Sequence, residues 1–393
     1  MCKRGVARGR VKFGHVFAFV FVMAFVGCGG STGVGAPPPS GPLPPPAPQS
    51  GEYLFVTGNG PSLVGYRIDT STGALSAPTP APDGPVFSSG LASDPVGKFI
   101  YVGDVGNNSS KVFGYSSESG DGNVLNVGSF PVPAPNGTTP EPTAMVVAPS
   151  GKNLYITNRL GPSDIDVFGI DGTTGKLTFI SLLTEPQAQF RFVGVDPSGD
   201  FLYGIDVTLP GGGVYVYQTT ALTGALTAVP GSPFVTPDEP WDIAVHPSGK
   251  FLYTCMTRTE GVVGFSIDSV TGALTIIPGS PFPSDAEPVS VTADPSGKFL
   301  YVPTLDGTIS AYAIDPATGA LSAVPGSPFP AGSNSTGSVN VEPLGKFLYL
   351  ANYANSSIYA YSIDQNTGGL NAVAASPFPA GTSPTHLTSV KIP

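Results

Sequence analysis

One turn-and-strand unit recurs seven times along this chain, and that repetition restricts the possible folds more than any other feature. The copies read SGEYLFV from Ser50, DPVGKFIYV from Asp94, APSGKNLYI from Ala148, DPSGDFLYG from Asp196, HPSGKFLYT from His246, DPSGKFLYV from Asp294 and EPLGKFLYL from Glu342. Their shared glycines, Gly51, Gly97, Gly151, Gly199, Gly249, Gly297 and Gly345, are spaced by 46, 54, 48, 50, 48 and 48 residues. A period of that size built from short apolar and aromatic runs predicts an all-β, seven-bladed propeller with four strands per blade. Charged residues make up only 11% of the chain, too few for long solvated helices, which agrees with an all-β reading.

Each unit resolves into four strands. Val289 to Ala293 gives an innermost strand. The turn Asp294-Pro295-Ser296-Gly297 follows, with proline where φ must lie near −65° and glycine where φ is positive. Lys298 to Val302 is a second strand with apolar residues on both faces, as a sheet packed between two neighbours requires. Thr308 to Ile314 is a third strand, and the polar turn Asp315-Pro316-Ala317-Thr318-Gly319 leads to an outer strand at Ala320 to Val324. The same Asp-x-x-Thr-Gly pattern starts at Asp69, Asp171, Asp268 and Asp364, where the aspartates read as turn formers. The outer strand at Ala320 to Val324 ends in Pro325-Gly326-Ser327-Pro328-Phe329, whose prolines suit an edge position. The first unit lacks an innermost strand and the last residues supply one, Pro384 to Val390, so the two termini should be stitched into a single blade that closes the ring. The propeller is thus assigned to residues 51–393, and a monomer is expected.

What precedes the repeat bears on address. Lys3, Arg4, Arg8, Arg10 and Lys12 precede an apolar stretch from Phe13 to Val26 that ends Gly27-Cys28. Residues 1–27 read as a signal peptide of lipoprotein type, with lipid attached to Cys28. Residues 28–50, rich in Gly, Pro and Ser, read as a tether. The expected location is extracytoplasmic and membrane-anchored. Removing residues 1–27 takes five of the 17 basic residues and none of the 27 acidic ones, leaving a net charge of −15. That charge argues against a nucleic-acid partner and favours a cationic ligand. Cys2 leaves with the signal and Cys28 carries lipid, so Cys255 has no disulfide partner and reads as a small core residue.

The recurring D-P-S-G-K-F-L-Y-V, the Y-x-I-D-x-x-T-G-x-L pattern and the terminal stitching together resemble the lactonase family of seven-bladed propellers, which includes bacterial 6-phosphogluconolactonase. The resemblance covers roughly residues 51–393 and implies a lactone hydrolase, a carboxylic ester hydrolase. Active members carry Pro-Arg-His at the start of an innermost strand and Asn-Glu at the end of the next strand. Arg191, six residues before Pro197, falls at the arginine position, while Phe192 stands in the place of the histidine and Asp206-Val207 in the place of Asn-Glu. In the last innermost strand His386 occupies the histidine position, preceded by Thr385.

Lactone hydrolysis needs an activated water, a donor or cation for the developing oxyanion, and a proton for the leaving alkoxide. Arg191 is the candidate cation, and His386 or Glu287 the candidate base. Glu141, Asp238, Glu239, Asp242 and Asp285 come just before or at innermost strands, and Asp104, Asn158, Asp206 and Asn352 end second strands, so each is placed near the binding mouth. Converging carboxylates there could hold Ca²⁺ or Mg²⁺; separately, each is a solvated loop charge. No phosphate-cradling loop, zinc motif or nucleophile elbow is present. Two functions follow: a lactonase acting outside the cytoplasm, or a non-catalytic envelope module that binds a carbohydrate, peptide or protein.

Overall fold

The computed structural model describes residues 51–392 apart from 60–62, 86, 107–109, 120–121, 135–138, 159–162, 209–211, 259–260 and 333–336. The signal segment, Cys28 and the tether lie outside the described residues. Seven antiparallel sheets follow one another along the chain, and among the described residues no helix interrupts them. Blade 4 shows the plan. An innermost strand, Phe190–Val195, pairs with Phe201–Asp206, which pairs with Gly213–Thr219, which pairs with an outer strand at Leu226–Ala228. The innermost strands of successive blades adjoin one another, and that of blade 7 adjoins the C-terminal strand, which completes the ring. Closure follows the expected stitching. Pro384–Ile392 pairs with Gly51–Gly58 in blade 1, with Val56 opposite Leu387 and Tyr53 opposite Val390.

The two recurring motifs hold neighbouring blades together. In the Asp-Pro-Ser-Gly turns the aspartate accepts the N–H of the phenylalanine five residues on, at 2.7 Å for both Asp196 to Phe201 and Asp294 to Phe299. That bond starts the second strand in register. The strand's Phe and Tyr then reach the Asp-x-x-Thr-Gly turn of the next blade. Tyr253 donates its hydroxyl to the Gly319 carbonyl at 2.8 Å, and Tyr101, Tyr301 and Tyr349 do the same to Gly175, Gly368 and Gly73. Gly319 has φ +73°, and a Cβ there would lie 2.6 Å from the Phe251 ring, so the turn needs glycine both for its backbone angle and for this close approach. The aspartates of these turns accept two backbone N–H groups each, as Asp315 does from Ala317 and Thr318. They are turn formers, as read from the sequence.

Between sheets the apolar residues meet in seven clusters, one for each seam. Cys255 is buried in one of them, unpaired. His246, which takes the aspartate's place in its turn, is also structural. Its Nε2 lies 2.7 Å from the Gly297 carbonyl in the next blade, and Ser248 N–H donates to its Nδ1.

The outer strand differs from the expected single edge segment. In blades 4 to 7 it comes in two pieces that both pair with the third strand, as Leu321–Ala323 and Phe329–Pro330 do in blade 6. Between the pieces a serine hydroxyl replaces the missing ladder acceptor. Ser232, Ser280, Ser327 and Ser376 each accept a third-strand N–H at 2.9 Å. The Pro-Gly-Ser-Pro-Phe run therefore encodes a bridged interruption, since its prolines cannot donate to the ladder.

Candidate functional site

Strand register explains how side chains reach the mouth. The innermost strands of blades 1 to 5 shift register at the end where they begin. In blade 4, Phe190 is opposite Asp206 but Phe192 is opposite Ile205, leaving Arg191 as the extra residue. Thr143, Trp241 and Thr385 are the extra residues at the matching points of blades 3, 5 and 1. Such bulges re-aim a side chain and release it from the alternation of the sheet. Here they bring Thr143, Gln189, Phe190, Arg191, Phe192, Val207 and His386 around one cavity of about 250 Å³. Arg191 and His386 come from blades 4 and 1, and the cavity unites them.

The Arg191 guanidinium lies over the Trp241 ring, its carbon 3.2 Å from the centroid. A cation–π contact of this kind holds the cation in place. Asp242, the next residue, accepts Ser290 Oγ at 2.6 Å, Val291 N–H at 3.1 Å and Ile243 N–H at 2.7 Å. Burial raises its pKa to about 6, against the opposing pull of those bonds and of Arg191. His386 is also desolvated, and burial lowers its pKa to about 4. The imidazole is therefore neutral at pH 7. Its Nδ1 lies 3.0 Å from Thr385 Oγ1, and that hydroxyl donates to the Thr57 carbonyl at 3.4 Å. This chain of bonds selects the Nδ1–H tautomer and leaves Nε2 as the proton acceptor.

The remaining sequence candidates fall into three groups. Asp206, Asn158 and Asn352 are buried and hydrogen-bonded within their own blades, and none of them lines the Arg191–His386 cavity. Asp206 accepts Gln189 N–H at 2.8 Å, Thr208 N–H at 3.0 Å and the Thr208 hydroxyl at 2.7 Å, which fixes the loop that leads into Arg191. Asp104 holds Phe87 N–H in the same way, at 3.0 Å. Asn352 accepts Asn355 N–H at 3.0 Å, and Asn158 donates to Asp166. Glu287 and Asp285 are exposed, and neither lines the Arg191–His386 cavity. Glu141, Asp238 and Glu239 are partly buried outside that cavity; Glu239 pairs with Arg258 at 2.9 Å. Among the described residues no three His, Cys, Asp or Glu side chains gather as a metal site. Thr143, Gln189, Phe190 and Val207 line the cavity without having been singled out from the sequence, nor was Trp241 beneath Arg191. For Thr143 and Trp241 the signal was available, since both stand six residues before a turn proline, as Arg191 does.

A family model for the seven-bladed β-propeller lactonases matches residues 62–236, 214–329 and 305–389. The chain belongs to this lactonase family. Solved structures agree on the fold. A provisionally assigned 6-phosphogluconolactonase from Bacteroides uniformis superposes with a TM-score of 0.74 at 19% identity, covering 87% of this chain and 99% of the other. A periplasmic gluconolactonase from Pseudomonas aeruginosa gives 0.70 at 19% identity, with 87% and 100% covered. A second provisionally assigned 6-phosphogluconolactonase, from Bacteroides fragilis, gives 0.71 at 20% identity, with 87% and 98% covered. No curated protein matches the chain significantly in sequence.

Proposed function

We propose that the protein hydrolyses a small, unphosphorylated lactone outside the cytoplasm. The observation that carries this reading is the single cavity shared by Arg191 and His386. At about 250 Å³ it is smaller than the roughly 300–1,000 Å³ of sites for drug-sized ligands, which suits one sugar-sized ring. Among the described residues that line it Arg191 is the one arginine or lysine, and that cation is assigned to the reacting carbonyl rather than to a phosphate. The apolar walls of Phe190, Phe192 and Val207 strengthen electrostatic contacts by excluding water.

In this reading the lactone carbonyl oxygen lies against Arg191. Water attacks the carbonyl carbon and His386 Nε2 takes its proton. The tetrahedral oxyanion is held by the guanidinium. The acyl carbon–ring oxygen bond then breaks, and the imidazolium returns the proton to the leaving alkoxide. The product is an open-chain hydroxy acid, whose carboxyl group gives its proton to solvent and stays as a carboxylate opposite Arg191 until release. Export is supported by the basic, apolar and Gly-Cys segments of residues 1–28, with Cys28 as the lipid attachment point.

One feature favours the second reading, a non-catalytic envelope binder: Phe192 fills the position beside Arg191 that holds histidine in active relatives. Titrating acid release by the purified protein separates the two. Gluconolactone, 6-phosphogluconolactone and acyl-chain lactones should be compared, with spontaneous opening subtracted. The proposal expects turnover above background on gluconolactone and a lower kcat/KM on its phosphorylated form. Folded protein that turns over none of them is a binder. For the address, Cys28→Ser should abolish incorporation of labelled fatty acid, whereas undiminished labelling would remove the anchor.

A further inference from the structure

Blade 3 contains a buried polar cluster unlike anything at the matching points of its neighbours. Asp164 and Asp166 lie two residues apart on the third strand, Ser163–Ile170, and so face the same side of the sheet. The register puts Ile165 opposite Thr157 and Asp166 opposite Ile156, so Asn158, which ends the adjacent strand, belongs beside Asp164. That side is the seam with blade 2, where Ile156 and Phe168 pack with Val112 and Val132. The position of Asp166 is held by Phe113, Tyr215, Val263, Ser310 and Tyr359 in blades 2, 4, 5, 6 and 7. Core-filling residues or a hydroxyl are thus the rule there.

Asp166 is 0% exposed, Asn158 1% and Asp164 7%. Asn158 Nδ2 donates to Asp166 Oδ2 at 2.7 Å. One oxygen of each residue, Asn158 Oδ1, Asp164 Oδ1 and Asp166 Oδ1, is buried without a hydrogen-bond partner. Among the described residues no lysine or arginine forms an ion pair with either aspartate. Two carboxylates cannot remain charged in such a place uncompensated.

We propose that Asp164, Asp166 and Asn158 bind one hard divalent cation, of the Ca²⁺ class, in the seam between blades 2 and 3. Carboxylate and amide oxygens match hard cations and not soft ones. Ca²⁺ accepts irregular coordination completed by water, whereas Mg²⁺ demands near-ideal octahedral geometry. Binding satisfies the three oxygens and pins the third strand of blade 3 to its neighbour.

The test is equilibrium dialysis and urea unfolding of the chelator-treated full-length protein at pH 8, with Ca²⁺ alone as the probe. One Ca²⁺ should bind per chain, and at a hundredfold excess over Kd the unfolding equilibrium constant should fall about a hundredfold. Mg²⁺ should achieve much less. Asp166→Asn should lose both the bound ion and the stabilisation. Asp166→Leu places an apolar side chain where blades 2 and 5 carry Phe113 and Val263; it should be more stable than the ion-free wild type and indifferent to Ca²⁺, which keeps the test decisive if Asp166→Asn fails to fold. Wild-type protein that binds no Ca²⁺, or an Asp166 variant that binds it as well as wild type, overturns the proposal.

Discussion

The tyrosine clasp between blades allows a test with an internal control. Tyr253 and Tyr203 occupy the same place in adjacent blades, and both are 0% exposed. Tyr253 donates to the Gly319 carbonyl at 2.8 Å, whereas the Tyr203 hydroxyl is buried without a partner among the described residues. Tyr253→Phe leaves that carbonyl unpaired in a closed seam, at a cost of about 1–3 kcal/mol. Tyr203→Phe removes a hydroxyl that burial has already stripped of water, so it should be neutral or stabilising by up to about 1 kcal/mol. The assay is urea unfolding of both variants beside wild type at pH 7, compared by midpoint at a common slope. The midpoints should move in opposite directions, or one should fall while the other stays. Equal losses in both variants would refute the claim that the Tyr–Gly bond, rather than ring packing alone, holds the blades together.

Two further outcomes depend on pH. Burial, with Glu342 adding to it, raises Glu52 from 4.5 to about 7, while Lys391 and Lys346 pull the other way. The native state therefore holds a proton that the unfolded chain releases. Stability from this group is present below pH 4.5 and is lost as pH rises through 7. Glu52→Gln should stabilise the protein by about 1–3 kcal/mol at pH 8 and by much less at pH 5, as read from urea midpoints; an equal gain at both would dissociate the effect from ionisation. In catalysis, His386 must be neutral to act as base. With its pKa lowered to about 4, kcat/KM should stay level from pH 7 down to pH 5 and fall about tenfold per unit below pH 4. An inflection near 6.5 would mean that the imidazole is not desolvated in the proposed hydrolysis.

Much of this architecture was legible because the repeat carries it. The third strand Thr308–Ile314 was bounded correctly, and the terminal stitching followed from one missing innermost strand. The Pro-Arg-His pattern of the resembling family, counted back from Pro197, pointed to Arg191, and its histidine position in the last innermost strand pointed to His386. What the sequence could not disclose was burial and register. Asp206 and Asn352 sit where a mouth ligand would sit, but a carboxylate that caps its own loop and one that faces solvent look alike in sequence. The bulges that turn Thr143, Arg191 and Trp241 toward the mouth add one residue to a strand without any marking glycine. The seam aspartates of blade 3 were passed over because a polar residue on a strand reads as solvent-facing until the neighbouring blade is placed against it.

The central claim is that Arg191 and His386 act on one substrate in one cavity, and a double-mutant cycle on lactone hydrolysis addresses it directly. Groups that serve the same transition state are not additive, because once either is lost the other has little left to do. Arg191→Ala and His386→Ala should each reduce kcat/KM on gluconolactone by about 10²–10⁴-fold, and the double variant should be no more than a few-fold slower than the slower single one. Single variants that retain wild-type turnover, or a double variant whose loss is the full product of the two, would contradict the account.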